Sequence, residues 1–94
     1  MRDDVIQKGL IKAGKVFKRM IKSRDINYTE HTVKITKNLM IKFECIRCEM
    51  GSSRGEPIGF EIYAIKDGKE VDCCTLHYPP DVNMELLYLL DCYV

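Results

Sequence analysis

The strongest constraint on the fold is the spacing of apolar residues in the first quarter of the chain. These residues recur every three or four positions, at Ile6, Leu10, Ala13, Phe17, Met20 and Ile21. At 100° per residue, all six lie within a stripe about 100° wide on one side of a helix. The pattern predicts an amphipathic helix over residues 5–23, with Asp4 as its N-cap and Gln7 completing a capping box.

Basic residues gather on the opposite side of this predicted helix. Eight of the 15 Lys and Arg residues lie in the first 24 positions, so this segment carries +6 while residues 25–94 carry −5. One isoleucine lies among the cations on the outer side. We call this set the basic face: Lys8, Ile11, Lys12, Lys15, Lys18, Arg19 and Lys22.

From residue 28 the apolar spacing changes to two, which is typical of strands with one buried side. A first strand carries Thr29, His31, Val33 and Ile35 on one side, and a second carries Leu39, Ile41, Phe43 and Cys45. A three-residue turn with a left-handed Asn38 would place Ile35 opposite Leu39 and Val33 opposite Ile41. The match of apolar residues favours this register over that of a two-residue turn.

A second hairpin is predicted around Asp67-Gly68, a type I′ turn signal. The third strand carries Ile58, Phe60, Ile62 and Ala64 on one side. The fourth strand runs from residue 69 to residue 78 and is ended by Tyr78-Pro79-Pro80. The turn predicts four pairs: Ile62 with Cys73, Ala64 with Val71, Phe60 with Thr75, and Ile58 with His77. The other side of the sheet is expected to face water with Lys42, Glu44, Glu61, Tyr63, Glu70 and Asp72.

The last segment predicts a helix from an Asp81 cap to about Cys92. Its core stripe is Val82, Leu86, Leu89, Leu90 and Tyr93. Met84, Leu87 and Tyr88 lie on its other sides, although a domain of this size can cover only one side of a helix. We therefore expect these three residues to mediate self-association, as a homodimer, or to contact a partner.

The element order is α-β-β-β-β-α, which predicts one compact α+β domain over residues 1–94 with both helices on the apolar side of an antiparallel sheet. Five cysteines are an odd number and include an adjacent pair, which argues against a disulfide framework. No apolar run approaches the roughly 18 residues of a membrane span, and no leader-like segment opens the chain. These features predict a cytoplasmic protein in a reducing compartment that does not use a membrane.

Cysteine and glycine motifs are the candidates for chemistry in this sequence. Cys45-x-x-Cys48 with Cys73, Cys74 and His77 suggests a zinc module, but the third strand separates the two groups by about 9.5 Å, and core thiols are the better interpretation. A cysteine and histidine pair lacks an orienting third group for catalysis. The segment 51–55 lacks the Gly-Lys-Ser/Thr ending of a phosphate-binding loop. We expect no catalytic residue, no metal ligand and no cofactor.

The functional hypothesis is a small non-catalytic module that binds a protein partner with an acidic surface through the basic face. Inhibitors and adaptors of nucleic-acid-handling systems include proteins of this kind. The alternative is a nucleic-acid-binding regulator, because six cations along roughly 22 Å of helix match a phosphate backbone. Against it, no aromatic residue interleaves with the lysines to stack on bases. A zinc module is the second alternative.

Overall fold

The computed structural model describes residues 1–77 and 81–94. Its helices are α1 (Arg2–Lys22) and α2 (Asn83–Tyr93), and a short 3-10 turn covers Gly51–Ser53. Its strands are β1 (Glu30–Lys34), β2 (Leu39–Arg47), β3 (Pro57–Lys66) and β4 (Lys69–Leu76). The strands form one antiparallel sheet in the order β1-β2-β3-β4. The predicted α+β fold is confirmed.

Both helices pack on one side of the sheet and enclose the core. The ring of Phe17 lies 5.9 Å from that of Phe43 and 4.8 Å from that of Phe60, so α1 crosses the two central strands. The other side of the sheet is not covered by any element that the structure describes. It carries most of the expected polar residues, with Asp72 as an exception, and Lys42 and Glu44 form an ion pair of 3.3 Å there.

Helix α1 begins three residues earlier than predicted. Asp4 lies inside the first turn and is not the N-cap. Arg2 forms a 3.2 Å ion pair with Asp91 of α2, which holds the additional turn against the second helix. Gly9 is buried where α1 meets the core, since a Cβ there would lie only 3.0 Å from Ile35 Cγ2.

The register of the first hairpin is confirmed, but its turn differs from the prediction. Val33 pairs with Ile41, and the Ile35 N–H donates to the Leu39 carbonyl at 2.9 Å. Among the described residues, Asp67 is the one non-glycine residue with a positive φ. Asn38 is therefore not left-handed, and that part of the prediction was wrong. Instead, Thr36 Oγ1 accepts from the N–H groups of residues 38 and 39 and closes the turn.

The predicted register of the second hairpin was wrong by one residue. Asp67 and Gly68 adopt the expected positive φ values of 53° and 80°. Past the turn, however, the ladder shifts between Ala64 and Ile65, leaving Val71 without a partner. Ile62 therefore pairs with Cys74, not with Cys73.

A shift of one residue exchanges the two sides of a strand, because side chains alternate. Ala64 pairs with Asp72, so Asp72 lies on the helix side and not on the open side as predicted. Cys73 and Thr75 are exposed on the open side. Ile58 and His77, which were predicted to face inward, are also exposed.

Helix α2 presents the predicted core stripe. Val82, Leu86, Leu89 and Leu90 are buried, whereas Tyr93 is only partly buried. The N-cap is Val82, so the predicted Asp81 cap was wrong, although the Asn83 N–H donates to Asp81 Oδ1 at 2.8 Å. The predicted strand ending at Tyr78-Pro79-Pro80 lies outside the described residues.

Candidate partner-binding face

The basic face lies on the side of α1 that points away from the sheet. All six of its cationic residues are exposed, and Ile11 is 50% exposed among them. The buried residues of α1 lie on the opposite side: Ile6, Gly9, Ala13, Val16, Phe17 and Met20. Burial of the apolar stripe thus fixes the orientation of the cations, as the sequence predicts.

The cations of the basic face are not neutralised by carboxylates within the described part of the chain. The ion pairs there join the Met1 amino group to Asp4, Arg2 to Asp91, and Lys42 to Glu44. Lys12 is engaged differently, because its Nζ donates to the carbonyl oxygen of Lys34 at 2.8 Å. The positive charge of the face is therefore available to an external anion.

Two shallow grooves flank Ile11. The first, of about 340 Å³, is lined by Lys8, Ile11, Lys12, Lys15, Val16 and Arg19. The second, of about 320 Å³, is lined by Leu10, Ile11, Gly14, Lys15, Lys18 and Asn83. Aliphatic side chains contribute to both grooves and cationic side chains surround them. This arrangement suits a ligand that combines carboxylates with small apolar groups.

Arg47 anchors the C-terminal end of α1. Its side chain is buried and donates four hydrogen bonds to backbone carbonyl oxygens: Nε to Tyr28 at 2.8 Å, Nη1 to Ser23 at 2.7 Å and to Gly55 at 2.8 Å, and Nη2 to Met20 at 3.0 Å. A cation at this position also complements the negative end of the helix dipole. The four bonds fasten the last turn of α1 to β2 and to the loop before β3.

Sequence reasoning missed this role of Arg47, although a signal was present. Position 47 continues the inward alternation of Leu39, Ile41, Phe43 and Cys45. A charged residue on the buried side of a strand needs a full set of hydrogen-bond partners.

The loop from residue 48 to residue 56 also packs against the end of α1. Arg24 Nη2 donates to the Ser52 carbonyl at 2.9 Å, and Gly55 adopts a φ of +85° beside Arg24. The Gly55 N–H donates to the Cys48 carbonyl at 2.7 Å. Because this N–H is already bonded within the loop, it is not free to bind a phosphate or another anion.

The cysteines are dispersed. Cys45 is buried, and burial raises the pKa of its thiol although nearby Arg47 acts in the opposite direction. Cys73 is exposed on the open side of the sheet, two strands away from Cys45. The described residues contain no group of three His, Cys, Asp or Glu side chains placed to hold a metal ion.

The residues predicted for self-association lie on the exposed side of α2. Met84, Leu87 and Tyr88 are 74%, 44% and 54% exposed. They are not part of either groove on the basic face. Their role in self-association stays a prediction.

Among the described residues, no helix has both the length and the apolar character needed to cross a bilayer. Comparison with protein-family models, with curated proteins and with solved structures gave no match for this chain.

Proposed function

We propose that this chain is a small non-catalytic binding module that docks an acidic surface of a protein partner onto the basic face, and that it acts in the cytoplasm. The observation that carries the proposal is the set of exposed cations without carboxylate partners in the described residues, grouped around a half-exposed isoleucine. In a reducing compartment the five unpaired thiols stay reduced.

The clustering of cations is costly to the isolated chain. Lys8 and Lys12, Lys15 and Arg19, and Lys18 and Lys22 are each four positions apart on α1. Like charges at this spacing destabilise a helix by roughly 0.2–0.5 kcal/mol per pair. An acidic partner would relieve this repulsion and would be drawn to the face by its charge.

The composition of the grooves favours a protein over a nucleic acid. Ile11 is half-exposed between the two grooves and offers aliphatic surface to an apolar side chain of the partner. Among the described residues, neither groove is lined by an aromatic ring on which a base could stack. The described lining also contains no Cys, His, Asp or Glu side chain, which are the groups most often used as nucleophile or general base.

The proposal is tested by affinity purification of the full chain from its native host, with and without nuclease treatment. Wild type is compared with Lys15→Glu/Lys18→Glu, and the matched control is Lys37→Glu/Lys69→Glu, which reverses two exposed lysines outside the basic face. We expect wild type and the control to retain the same protein partner after nuclease treatment, and the basic-face variant to lose it. Thermal unfolding of all three verifies that each is folded.

Two results would contradict the proposal. Equal recovery of the partner by wild type and by both variants would show that the basic face is not used. Loss of all bound protein on nuclease treatment would favour the nucleic-acid-binding regulator. In that case, random single strands and duplexes should bind the purified chain with strong salt dependence.

A further inference from the structure

The outer edge of β1 lies beside the basic face. Within residues 1–77 and 81–94, β1 pairs with β2 and with no other strand. Its odd-numbered positions make the ladder bonds, as the bond from the Ile35 N–H to the Leu39 carbonyl shows. In an antiparallel ladder the alternate residues point their N–H and C=O groups the other way. The backbone groups of Glu30, Thr32 and Lys34 therefore point out of the sheet.

These outward groups are nearly all open. The Lys34 carbonyl accepts the 2.8 Å hydrogen bond from Lys12 Nζ. No other bond to the outward groups of Glu30, Thr32 or Lys34 is found in the part of the chain that the structure describes. All three residues are exposed. An edge of this kind can pair with another extended chain.

The opposite edge of the sheet, at β4, is partly capped from within. Asp72 Oδ1 accepts from the outward Cys73 N–H at 2.8 Å, and the Tyr93 hydroxyl donates to Asp72 Oδ2 at 2.9 Å. The bulge at Val71 further interrupts the β4 ladder. The two edges thus differ in charge and continuity: β4 is bulged and carries a carboxylate, whereas β1 is regular and adjoins cations.

Contacts at both ends place β1 antiparallel to α1, and the bond from Lys12 to the Lys34 carbonyl joins the strand to the basic face. Arg47 holds the Met20 and Tyr28 carbonyls together at one end, and Ile35 packs against Gly9 at the other. Side chains on one side of a strand repeat every 6.6–6.8 Å or so. Helical residues four apart, such as Lys8 and Lys12, are separated by about 6 Å along the axis. Alternate carboxylates on an added strand would therefore meet successive cations.

We propose that the free edge of β1 and the flank of the basic face formed by Lys8, Lys12, Lys15 and Arg19 bind an extended acidic segment of a protein partner as a fifth strand. This inference rests on the proposed function and names the shape of the bound segment. Backbone pairing with β1 supplies part of the affinity, and the cations select Asp or Glu at alternate positions.

The test uses two synthetic nine-residue peptides of alternating valine and glutamate. One has normal amides, and the other is N-methylated at every amide, so that it keeps its charge but has no N–H to donate to β1. Binding is measured by calorimetry, and protection of individual amides is measured by hydrogen exchange. We expect the normal peptide to bind at least about tenfold more tightly than the N-methylated one. It should also slow exchange at Glu30, Thr32 and Lys34.

Matched variants test which edge of the sheet binds the peptide. Thr32→Pro removes an outward N–H of β1 without removing a ladder bond, and proline is tolerated at such edge positions. Thr75→Pro makes the same change at the outer edge of β4, where Thr75 is exposed. We expect about tenfold weaker binding of the normal peptide by Thr32→Pro and no change for Thr75→Pro. Lys12→Glu/Lys15→Glu should abolish binding.

The outcomes distinguish this inference from the proposed function. Equal binding of both peptides, lost in Lys12→Glu/Lys15→Glu, overturns the added strand and leaves the basic face as a charge-based site. Protection at Cys73 and Thr75 in place of β1 also overturns it. Failure of both peptides to bind wild type at low salt overturns the inference, and the affinity purification then decides the proposed function separately. If a short DNA strand binds when neither peptide does, the added strand is overturned and the nucleic-acid-binding regulator is favoured.

Discussion

The Arg47 guanidinium donates a 3.0 Å hydrogen bond from Nη2 to the carbonyl oxygen of Met20 in the last turn of α1. Together with its bonds to the carbonyls of Ser23, Tyr28 and Gly55, this contact joins the helix to the sheet at a point where the core ends. The orientation of the basic face therefore depends on a buried cation as well as on the apolar stripe.

Arg47→Met should destabilise the fold by about 3 kcal/mol or more, because it leaves several buried carbonyl oxygens without a donor. Arg54→Met is the matched control, since Arg54 is exposed and makes one 3.2 Å bond to the Glu49 carbonyl. We expect the control to change the free energy of unfolding by less than about 0.5 kcal/mol. Urea denaturation measures both, and equal effects would contradict the anchoring role.

Two glycine-to-alanine substitutions should change the free energy of unfolding in opposite directions. A Cβ at Gly55 would lie 1.9 Å from the Arg24 carbonyl oxygen at a φ of +85°, so Gly55→Ala should cost at least about 2 kcal/mol. A Cβ at Gly14 would meet no atom within 4 Å in the middle of α1, so Gly14→Ala should stabilise by about 0.5–1 kcal/mol. Thermal unfolding compares them, and a destabilised Gly14→Ala would show that α1 does not pack as described.

Lys15→Gln should stabilise the protein slightly at low salt. Lys12, Lys18 and Arg19 lie three or four positions from Lys15. Removal of each like-charge pair should raise the stability of the helix by roughly 0.2–0.5 kcal/mol. The gain should disappear in 1 M salt, where the Debye length is about 3 Å. Arg2→Gln is the contrasting control, because loss of the Asp91 ion pair should reduce stability, by up to about 1 kcal/mol. Destabilisation by Lys15→Gln would point to an internal partner for this lysine.

The contact between Tyr93 and Asp72 should make stability depend on pH in the alkaline range. The hydrogen bond to the carboxylate, followed by desolvation, raises the pKa of Tyr93 from 10.0 to about 12. A raised pKa in the folded state means that the protonated hydroxyl stabilises the fold below pH 10 and that this contribution is lost as the pH rises through about 12.

Wild type should therefore be more stable than Tyr93→Phe at pH 8. The difference between their free energies of unfolding should become smaller above pH 10. Urea denaturation at a series of pH values measures this difference. The same substitution in an Asp72→Asn background supplies the control, where the narrowing should be largely absent. A gap between wild type and Tyr93→Phe that does not change up to pH 12 would contradict the contact.

Self-association through α2 should depend on its exposed apolar residues. Leu87→Glu places a carboxylate in the patch with Met84 and Tyr88, and we expect it to convert a concentration-dependent dimer into a monomer. Ile58→Glu is the control, because Ile58 is similarly exposed but lies on β3. Sedimentation velocity distinguishes the forms, and identical monomeric profiles for wild type and Leu87→Glu would refute the prediction.

Sequence patterns alone predict the elements, the outward position of the basic face and the first hairpin register. Each follows from information local to a segment: the 3.6-residue period of α1, the two-residue period of the strands, and the match of Val33 and Ile35 with the apolar residues across the turn. The positive φ values at Asp67 and Gly68 also follow from local turn chemistry.

Tertiary packing sets the register of β4, the burial of Arg47 and the difference between the two sheet edges. The bulge at Val71 brings Asp72 to the helix side, where it meets Tyr93 from an element 21 positions away along the chain. Arg47 likewise finds its acceptors in three separate segments. Such contacts depend on how the elements pack, and a local period carries no information about which distant groups will satisfy a buried charge or cap a strand edge.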